Sequence, residues 1–154
     1  MSVQDQLQKL GIDLPIASKP LANYVGTRKV GNIIYVSGQL PVENSKLMYT
    51  GKVGQDISVE DAVKAAQLCA INVLSQLAAI LSNDLDAIES CVRIGVYINS
   101  IPAFEDHAIV ANGASDFIFN VLGSAGTHTR SSIGCPSLPK NVAVEVDAIF
   151  TIKK

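Results

Sequence analysis

The sequence predicts a single α+β domain in which two helices pack on one face of a mainly antiparallel sheet. Three patterns support this prediction: a long helical stripe after Ser58, a second helical segment over residues 105–122, and strand-like runs before, between and after them. Their order, β-β-α-β-α-β-β, is typical of helices confined to one side of a sheet. With 154 residues, 48% of them hydrophobic, the chain can bury one sizeable core without disulfides or structural metal.

Two strands are predicted before the first helix. Residues 32–37 form a β-branched and aromatic run that is bounded by Gly31 and Gly38. A weaker strand is expected near residues 47–49, after a turn over residues 41–46.

The first helix has the clearest pattern in the chain. Ser58 followed by Asp61 resembles a capping box with Asp in place of Glu, and residues 82–84 act as a stop signal. Between these signals the apolar residues recur every three or four positions: Val59, Val63, Ala66, Ala70, Val73, Leu77 and Leu81.

A half-buried strand and a second helix are predicted next. Residues 91–99 alternate, with one face made of Val92, Ile94, Val96 and Ile98 and the other of Arg93, Gly95, Tyr97 and Asn99. The helix over residues 105–122 ends at Gly123, and its apolar side consists of Ile109, Ala114, Phe117, Ile118 and Val121.

Two further strands end the chain. Residues 128–133 place His128, Arg130 and Ser132 on one face. The strand over residues 142–152 sends alternate side chains inward, namely Val142, Val144, Val146, Ala148, Phe150 and Ile152.

The sheet face turned away from the helices is expected to mix apolar and charged side chains. We place there Ile149 and Tyr97 together with Glu145, Asp147, Arg93 and Arg130. This mixture is too apolar for bare solvent and too polar for a monomer core. An oligomer that packs these faces around an axis buries the apolar members and creates polar clefts at its seams.

Composition and motifs exclude several functions. A net charge of −2 and a pI near 5.6 argue against a nucleic-acid partner. The odd cysteine count (Cys69, Cys91 and Cys135) with no C-x-x-C pair favours a reducing compartment, so we expect a cytoplasmic protein whose cysteines are small buried hydrophobes. No signal-peptide order and no run of about 20 apolar residues occurs, so we expect no membrane contact. Zinc, nucleotide and serine-hydrolase motifs are absent, so neither a metal nor a cofactor is expected.

Several short segments carry a family resemblance. They are residues 129–133 (TRSSI), 138–141 (LPKN) and 144–149 (VEVDAI), and upstream 23–25 (NYV), 31–34 (GNII) and 37–41 (SGQLP). In this order and spacing they resemble the Rid (YjgF) family of reactive-intermediate deaminases. The resemblance makes residues 1–154 one Rid-like domain, with residues 1–12 as an N-terminal extension. His128 and Pro136 depart from the family pattern and indicate a divergent branch with its own pocket wall.

The resemblance implies a chorismate-mutase-like fold, a homotrimer with sites at its seams, and hydrolysis of 2-imino and 2-enamino acids to 2-keto acids and ammonia. Arg130 matches the family's carboxylate-binding arginine, since a guanidinium clamps a small-molecule carboxylate with two parallel hydrogen bonds. Glu145 matches the glutamate that orients water or moves its proton. The remaining matches are Tyr24, whose phenol lines the pocket, Ser132, whose backbone carbonyl helps to hold the water, and the pocket-lining Ser37, Gly38 and Asn112.

Other interpretations remain open from the sequence. A trimer that only binds small carboxylates needs Arg130 but not Glu145. An endoribonuclease, a function attached to some relatives, is disfavoured by the charge, the lack of a histidine pair and the scarcity of aromatics. Arg130 could instead form a cross-strand ion pair with Glu145 or Asp147, and Glu145 could be a solvated strand carboxylate. Tyr24 could be an ordinary half-buried tyrosine and Gly38 a turn glycine.

Overall fold

The centre of the molecule is a five-stranded mixed sheet, and the computed structural model describes all residues from 1 to 154. The strands are β1 (Thr27–Val30), β2 (Ile33–Gln39), β5 (Ile88–Asn99), β6 (Thr129–Cys135) and β7 (Val144–Ile152). Their spatial order is β1-β2-β7-β5-β6, with β5 and β6 parallel and every other pair antiparallel. The predicted α+β class and mainly antiparallel sheet are confirmed.

The beginning of the sheet differs from the prediction. The weak strand near residues 47–49 is β4 (Lys46–Leu47), which pairs with β3 (Val42–Glu43) in a separate hairpin outside the main sheet. The edge strand β1 was not predicted from its pattern. Three of its four residues are exposed, so it has no apolar alternation to detect.

The first predicted helix is α2 (Val59–Ile80), and the Ser58 hydroxyl caps it by accepting the N–H of Asp61 at 3.1 Å. It ends as predicted, because Ser82 and Asn83 adopt left-handed backbone angles directly after it. By length and composition α2 could cross a membrane, but 56% of its most apolar window is buried inside the fold, where it forms the core with β2 and β7.

The second predicted helix is α3 (His107–Leu122), which Gly123 ends at a φ of 61°. Ile109 was wrongly placed on its buried side and is 49% exposed. It lies about 100° around the helix axis from Val110 on the true stripe. Val92 was also wrongly placed: the register shifts between Cys91 and Arg93, so this extra residue is 40% exposed.

A third helix, α1 (Val3–Lys9), was not predicted. Ser2 and Asp5 form a reciprocal capping box, and Leu7 is fully buried in the core. α1 packs against α3, which in turn approaches α2 closely at Gly113: a Cβ there would lie 2.1 Å from the carbonyl oxygen of Val63. All three helices therefore contribute to one core on one side of the sheet.

Strand β7 runs through the middle of the sheet and separates its two faces as predicted. The inward residues from Val142 to Ile152 are all buried beneath the helices. Glu145, Asp147 and Ile149 are half-buried on the opposite face, which no element of the chain covers. This open face and the helix side of β6 hold the predicted site residues.

Candidate active site

Arg130 lies on the edge strand β6, on the helix side of the sheet, because its parallel partner is the core residue Ile94. Its Nη1 donates to Asn112 Oδ1 at 2.9 Å and to Ser115 Oγ at 3.0 Å, both on α3. Its Nη2 donates to the carbonyl oxygen of Ala108 at 3.5 Å. No carboxylate lies within 4 Å, so the cross-strand ion pair that the sequence left open does not form in the chain.

A second layer of hydrogen bonds stands behind Arg130. Ser115 Oγ lies 2.8 Å from His128 Nε2, and His128 Nδ1 lies 2.6 Å from the carbonyl oxygen of Gly126. A carbonyl can only accept, so Nδ1 carries a proton, and in the neutral imidazole Nε2 then accepts the Ser115 hydroxyl. Ser132 is half-buried two residues beyond Arg130 on the same face. We call Arg130, Asn112, Ser115, His128 and Ser132 the arginine cluster.

Glu145 lies on the opposite face of the sheet, paired with Tyr97 on β5. Burial, and next the nearby Asp147 carboxylate, raise the pKa of Glu145 above its ordinary value of 4.5. Asp147 itself accepts hydrogen bonds from the Tyr97 hydroxyl at 2.9 Å and from Arg93 Nη1 at 3.5 Å. Glu145 has no hydrogen-bond or ion-pair partner, and it is the only carboxylate of this group without a cation.

Gly38 lies against Glu145, and the neighbouring Ser37 bonds to the segment before β1. A Cβ at Gly38 would lie 2.1 Å from Glu145 Oε1, so the glycine leaves the space that the carboxylate occupies. Ser37 donates its hydroxyl to the carbonyl oxygen of Val25 at 2.6 Å, and its N–H bonds to Gly26. These bonds hold the loop that carries Tyr24, which is 58% exposed. We call Glu145 and the adjacent Gly38, together with Ser37 and Tyr24 on the connected segments, the glutamate cluster.

The predicted site residues therefore form two groups that one chain does not bring together. Placing Arg130 on the open face with Glu145 was wrong. The parallel register of β6 against β5 aligns Arg130 with Ile94, whereas Glu145 is aligned with Tyr97, three residues further along β5. Ser115 was missed by the sequence reasoning, although its position three residues after Asn112 puts both on one side of a helix.

Neither buried cysteine is a candidate nucleophile. Burial raises the pKa of Cys91 to about 12 and that of Cys69 well above its usual range. Cys135 is only half-buried at the end of β6, so its placement as a buried hydrophobe was wrong. No group of three or more His, Cys, Asp or Glu residues is arranged to hold a metal.

Two cavities in the chain lie away from the candidate-site residues. Two cavities of about 360 and 210 Å³ lie beside α1 and between α2 and α3. No residue of the arginine cluster or the glutamate cluster lines either of these cavities.

The sequence and the fold of this chain are similar to those of known proteins. A family model described as "YjgF/chorismate_mutase-like, putative endoribonuclease" matches residues 4–151. The chain belongs to the YjgF family. The expected resemblance and the chorismate-mutase-like fold are thereby confirmed.

Three similar proteins illustrate how this YjgF-family chain relates to others. Protein TCP17 of Trypanosoma cruzi is 43% identical over 97% of this chain and 94% of its own length. The Agrobacterium tumefaciens protein Atu1372, of unknown function, has a TM-score of 0.93 at 44% identity, covering 98% of this chain and 92% of that one. A 2-iminobutanoate/2-iminopropanoate deaminase of Dermatophagoides farinae is 23% identical over 92% of this chain and 95% of its own.

Proposed function

We propose that the protein is a homotrimeric, cofactor-free hydrolase that converts 2-imino and 2-enamino acids to 2-keto acids and ammonia. The observation that carries this proposal is the state of Arg130. Two hydrogen bonds occupy both hydrogens of Nη1, while Nε–H and one Nη2 hydrogen have no protein acceptor. A guanidinium that is oriented but not neutralised is suited to receive the planar carboxylate of a small substrate.

The arrangement of the two clusters supports a site shared between subunits. Arg130 and Glu145 lie on opposite faces of one sheet, so they can meet only if two copies contribute one cluster each. The glutamate-bearing face carries the exposed apolar side chains of Tyr35 and Ile133. The segment between α1 and β1 also exposes the apolar side chains of Ile16 and Leu21, at 99% and 95% of their surfaces. A closed ring of three copies buries these side chains and places the clusters together at each seam.

Light scattering in dilute buffer tests the assembly. We expect a single species of three times the chain mass. A monodisperse monomer would overturn the trimer and any site located at a seam.

The chemistry then needs only groups that the two clusters supply. Arg130 holds the substrate carboxylate and thereby the adjacent C=N carbon. Water attacks this carbon, and Glu145 accepts its proton, which the raised pKa of this carboxyl favours. Glu145 passes this proton to the imine nitrogen, which gives an adduct with one hydroxyl and one amino group on the same carbon. Glu145 then moves the hydroxyl proton to the amino nitrogen, the C–N bond breaks, and ammonia leaves as the C=O bond forms. The family membership and the distant deaminase relative support this reaction.

A carboxylate-binding trimer without catalysis is the second candidate. It is favoured by the arginine cluster alone, because binding does not require a proton acceptor. The presence of both an arginine and a glutamate without an ion-pair partner favours the hydrolase. An endoribonuclease ranks third, because His128 uses both of its ring nitrogens within the chain.

Imino acids generated in situ by an amino-acid oxidase test the reaction. We expect the wild type to release ammonia above the uncatalysed rate. Glu145→Gln should keep its affinity for a 2-keto acid in calorimetry but slow hydrolysis, since an amide cannot take the proton. Glu89→Gln, which changes an exposed glutamate on β5, is the matched control and should change neither. If the wild type binds 2-keto acids but hydrolyses no imine, the protein is the carboxylate-binding trimer without catalysis.

A further inference from the structure

We infer that Ser115 and His128 are positioning residues that fix the Arg130 guanidinium for the substrate carboxylate. This inference rests on the proposed role of Arg130 and assigns its specific support to α3 and to the turn before β6. Neither residue needs to touch the substrate. Their effect is transmitted through one hydrogen bond to Nη1.

The direction of each hydrogen bond in this chain follows from its neighbour. His128 Nδ1–H donates a hydrogen bond to the Gly126 carbonyl, which leaves Nε2 of the neutral ring as an acceptor. The Ser115 hydroxyl donates its one hydrogen to Nε2 in a hydrogen bond, so the lone pairs of Oγ remain free to accept from Arg130 Nη1. His128 thus prevents the hydroxyl from turning its hydrogen toward the cation. Ser115 becomes an obligatory acceptor in a charge-assisted bond.

The series of hydrogen bonds starts at the Gly126 carbonyl, which is held rigidly. Gly126 ends a short turn directly after α3, and a Cβ at this position would lie 2.6 Å from the carbonyl oxygen of Ile118. The turn is therefore pressed against the helix backbone, and its carbonyl is fixed relative to α3. Ser115, on the same helix, is fixed relative to that carbonyl. His128 spans the two through both of its ring nitrogens.

Neutral acceptors suit this position better than a carboxylate. Arg130 is a long side chain on an edge strand, and holding it in one rotamer costs conformational entropy. Asn112 and Ser115 hold both Nη1 hydrogens without cancelling the positive charge. A protein carboxylate here would compete with the carboxylate of the substrate. The guanidinium is oriented before the ligand arrives, which lowers the cost of binding.

Four variants separate positioning from a merely structural role. Ser115→Ala removes the acceptor, and Ser115→Thr keeps it. His128→Asn places its amide near the Nδ1 position and cannot reach Ser115, whereas His128→Gln can offer a carbonyl oxygen near the Nε2 position. The readouts are the Kd for 2-oxobutanoate by calorimetry, and kcat and KM for imine hydrolysis. Melting temperature and oligomeric state are measured for each variant.

We expect Ser115→Ala and His128→Asn to raise the Kd and KM by about five- to tenfold with kcat changed less than twofold, because the carboxylate is held equally in substrate and transition state. Ser115→Thr and His128→Gln should stay within about twofold of the wild type. The double variant Ser115→Ala/His128→Asn should be no weaker than Ser115→Ala alone, since both changes break one chain of bonds.

The outcomes distinguish this inference from the proposed reaction. Unchanged Kd and KM in Ser115→Ala would overturn the positioning role while wild-type hydrolysis still stood. Equal losses in His128→Gln and His128→Asn would also overturn it. Weaker 2-oxobutanoate binding by Ser115→Ala, with Ser115→Thr unaffected, would support it even if the wild type hydrolysed no imine. A wild type that binds no 2-keto acid would overturn both.

Discussion

The arginine cluster and the glutamate cluster are opposite in almost every physical respect. Arg130 is held by three neutral acceptors on α3 and has no anion nearby. Glu145 has no hydrogen-bond donor, and another carboxylate, Asp147, adds to the burial that raises its pKa. Arg93, on that face, forms an ion pair with Asp147 and not with Glu145. One region therefore carries an unmatched positive charge and the other an unmatched negative charge.

This difference indicates what each region lacks. A half-buried charge without a partner is costly unless something outside the chain compensates it. In the proposed function, a substrate carboxylate compensates Arg130, and a neighbouring subunit brings the bound substrate to Glu145. Variants that change one cluster and leave the other intact test this difference.

The largest effect is expected from Arg130→Lys. A point charge on a flexible stem cannot reproduce the planar fork, so transition-state stabilisation should fall by about 2–4 kcal/mol, or roughly 30- to 1,000-fold in kcat/KM. Steady-state kinetics on imino acids measures it. Arg93→Lys, on the other face, is the control and should lose less than about fivefold. A variant that unfolds while its remaining native fraction keeps full specific activity would make Arg130 structural.

Mixing two inactive proteins tests whether the clusters belong to different subunits. Arg130→Lys and Glu145→Gln are unfolded together in equal amounts and refolded. Random assembly into trimers gives about one quarter of the seams an intact arginine cluster and an intact glutamate cluster, so about one quarter of wild-type activity should return. Each variant refolded alone is the control. Activity no higher than the average of the two controls would place both clusters of a working site on one chain.

Smaller effects are expected when alanine replaces the glycines that lie against Glu145 and Asp147, because the added methyl group displaces the carboxylate. Gly38→Ala puts a methyl group where Glu145 Oε1 lies, and the flexible side chain must move. We expect kcat to fall about tenfold, because small misplacements of a reacting group are costly, with the melting temperature nearly unchanged. Gly95→Ala is the matched control, since its Cβ would lie 2.3 Å from Asp147 Oδ1 on the same face. Equal losses in both variants would show that general disturbance of this face, not the position of Glu145, limits kcat.

The smallest effect concerns stability and pH. The folded chain holds the Glu145 proton more tightly than the unfolded chain, because burial and Asp147 raise its pKa above 4.5. The ionised form therefore destabilises the fold at pH 7, and this penalty disappears as the pH falls through the raised pKa toward 4.5 and below. Glu145→Gln should melt slightly higher than the wild type at pH 7, with the gap closing in acid. A lower melting temperature at pH 7 would show that a cation holds Glu145 in the assembled protein.

The regular elements were largely determined by local sequence. The cap at Ser58, the stripe of α2 and the alternation of β7 predicted these elements because helix and strand periods follow from backbone geometry. Prediction failed where no local pattern exists. The exposed edge strand β1 shows no alternation, and the bulge that turns Val92 outward depends on pairing with β7.

The members of the candidate site were also readable from the sequence, but their arrangement was not. Motif order singled out Arg130, Glu145 and their neighbours, since residue types follow the chemistry they perform. Which face each side chain occupies depends on the register between strands distant in sequence, and a shift of one residue reverses the face. Only the tertiary structure aligned Arg130 with Ile94 and Glu145 with Tyr97, and only it placed Ser115 between Arg130 and His128.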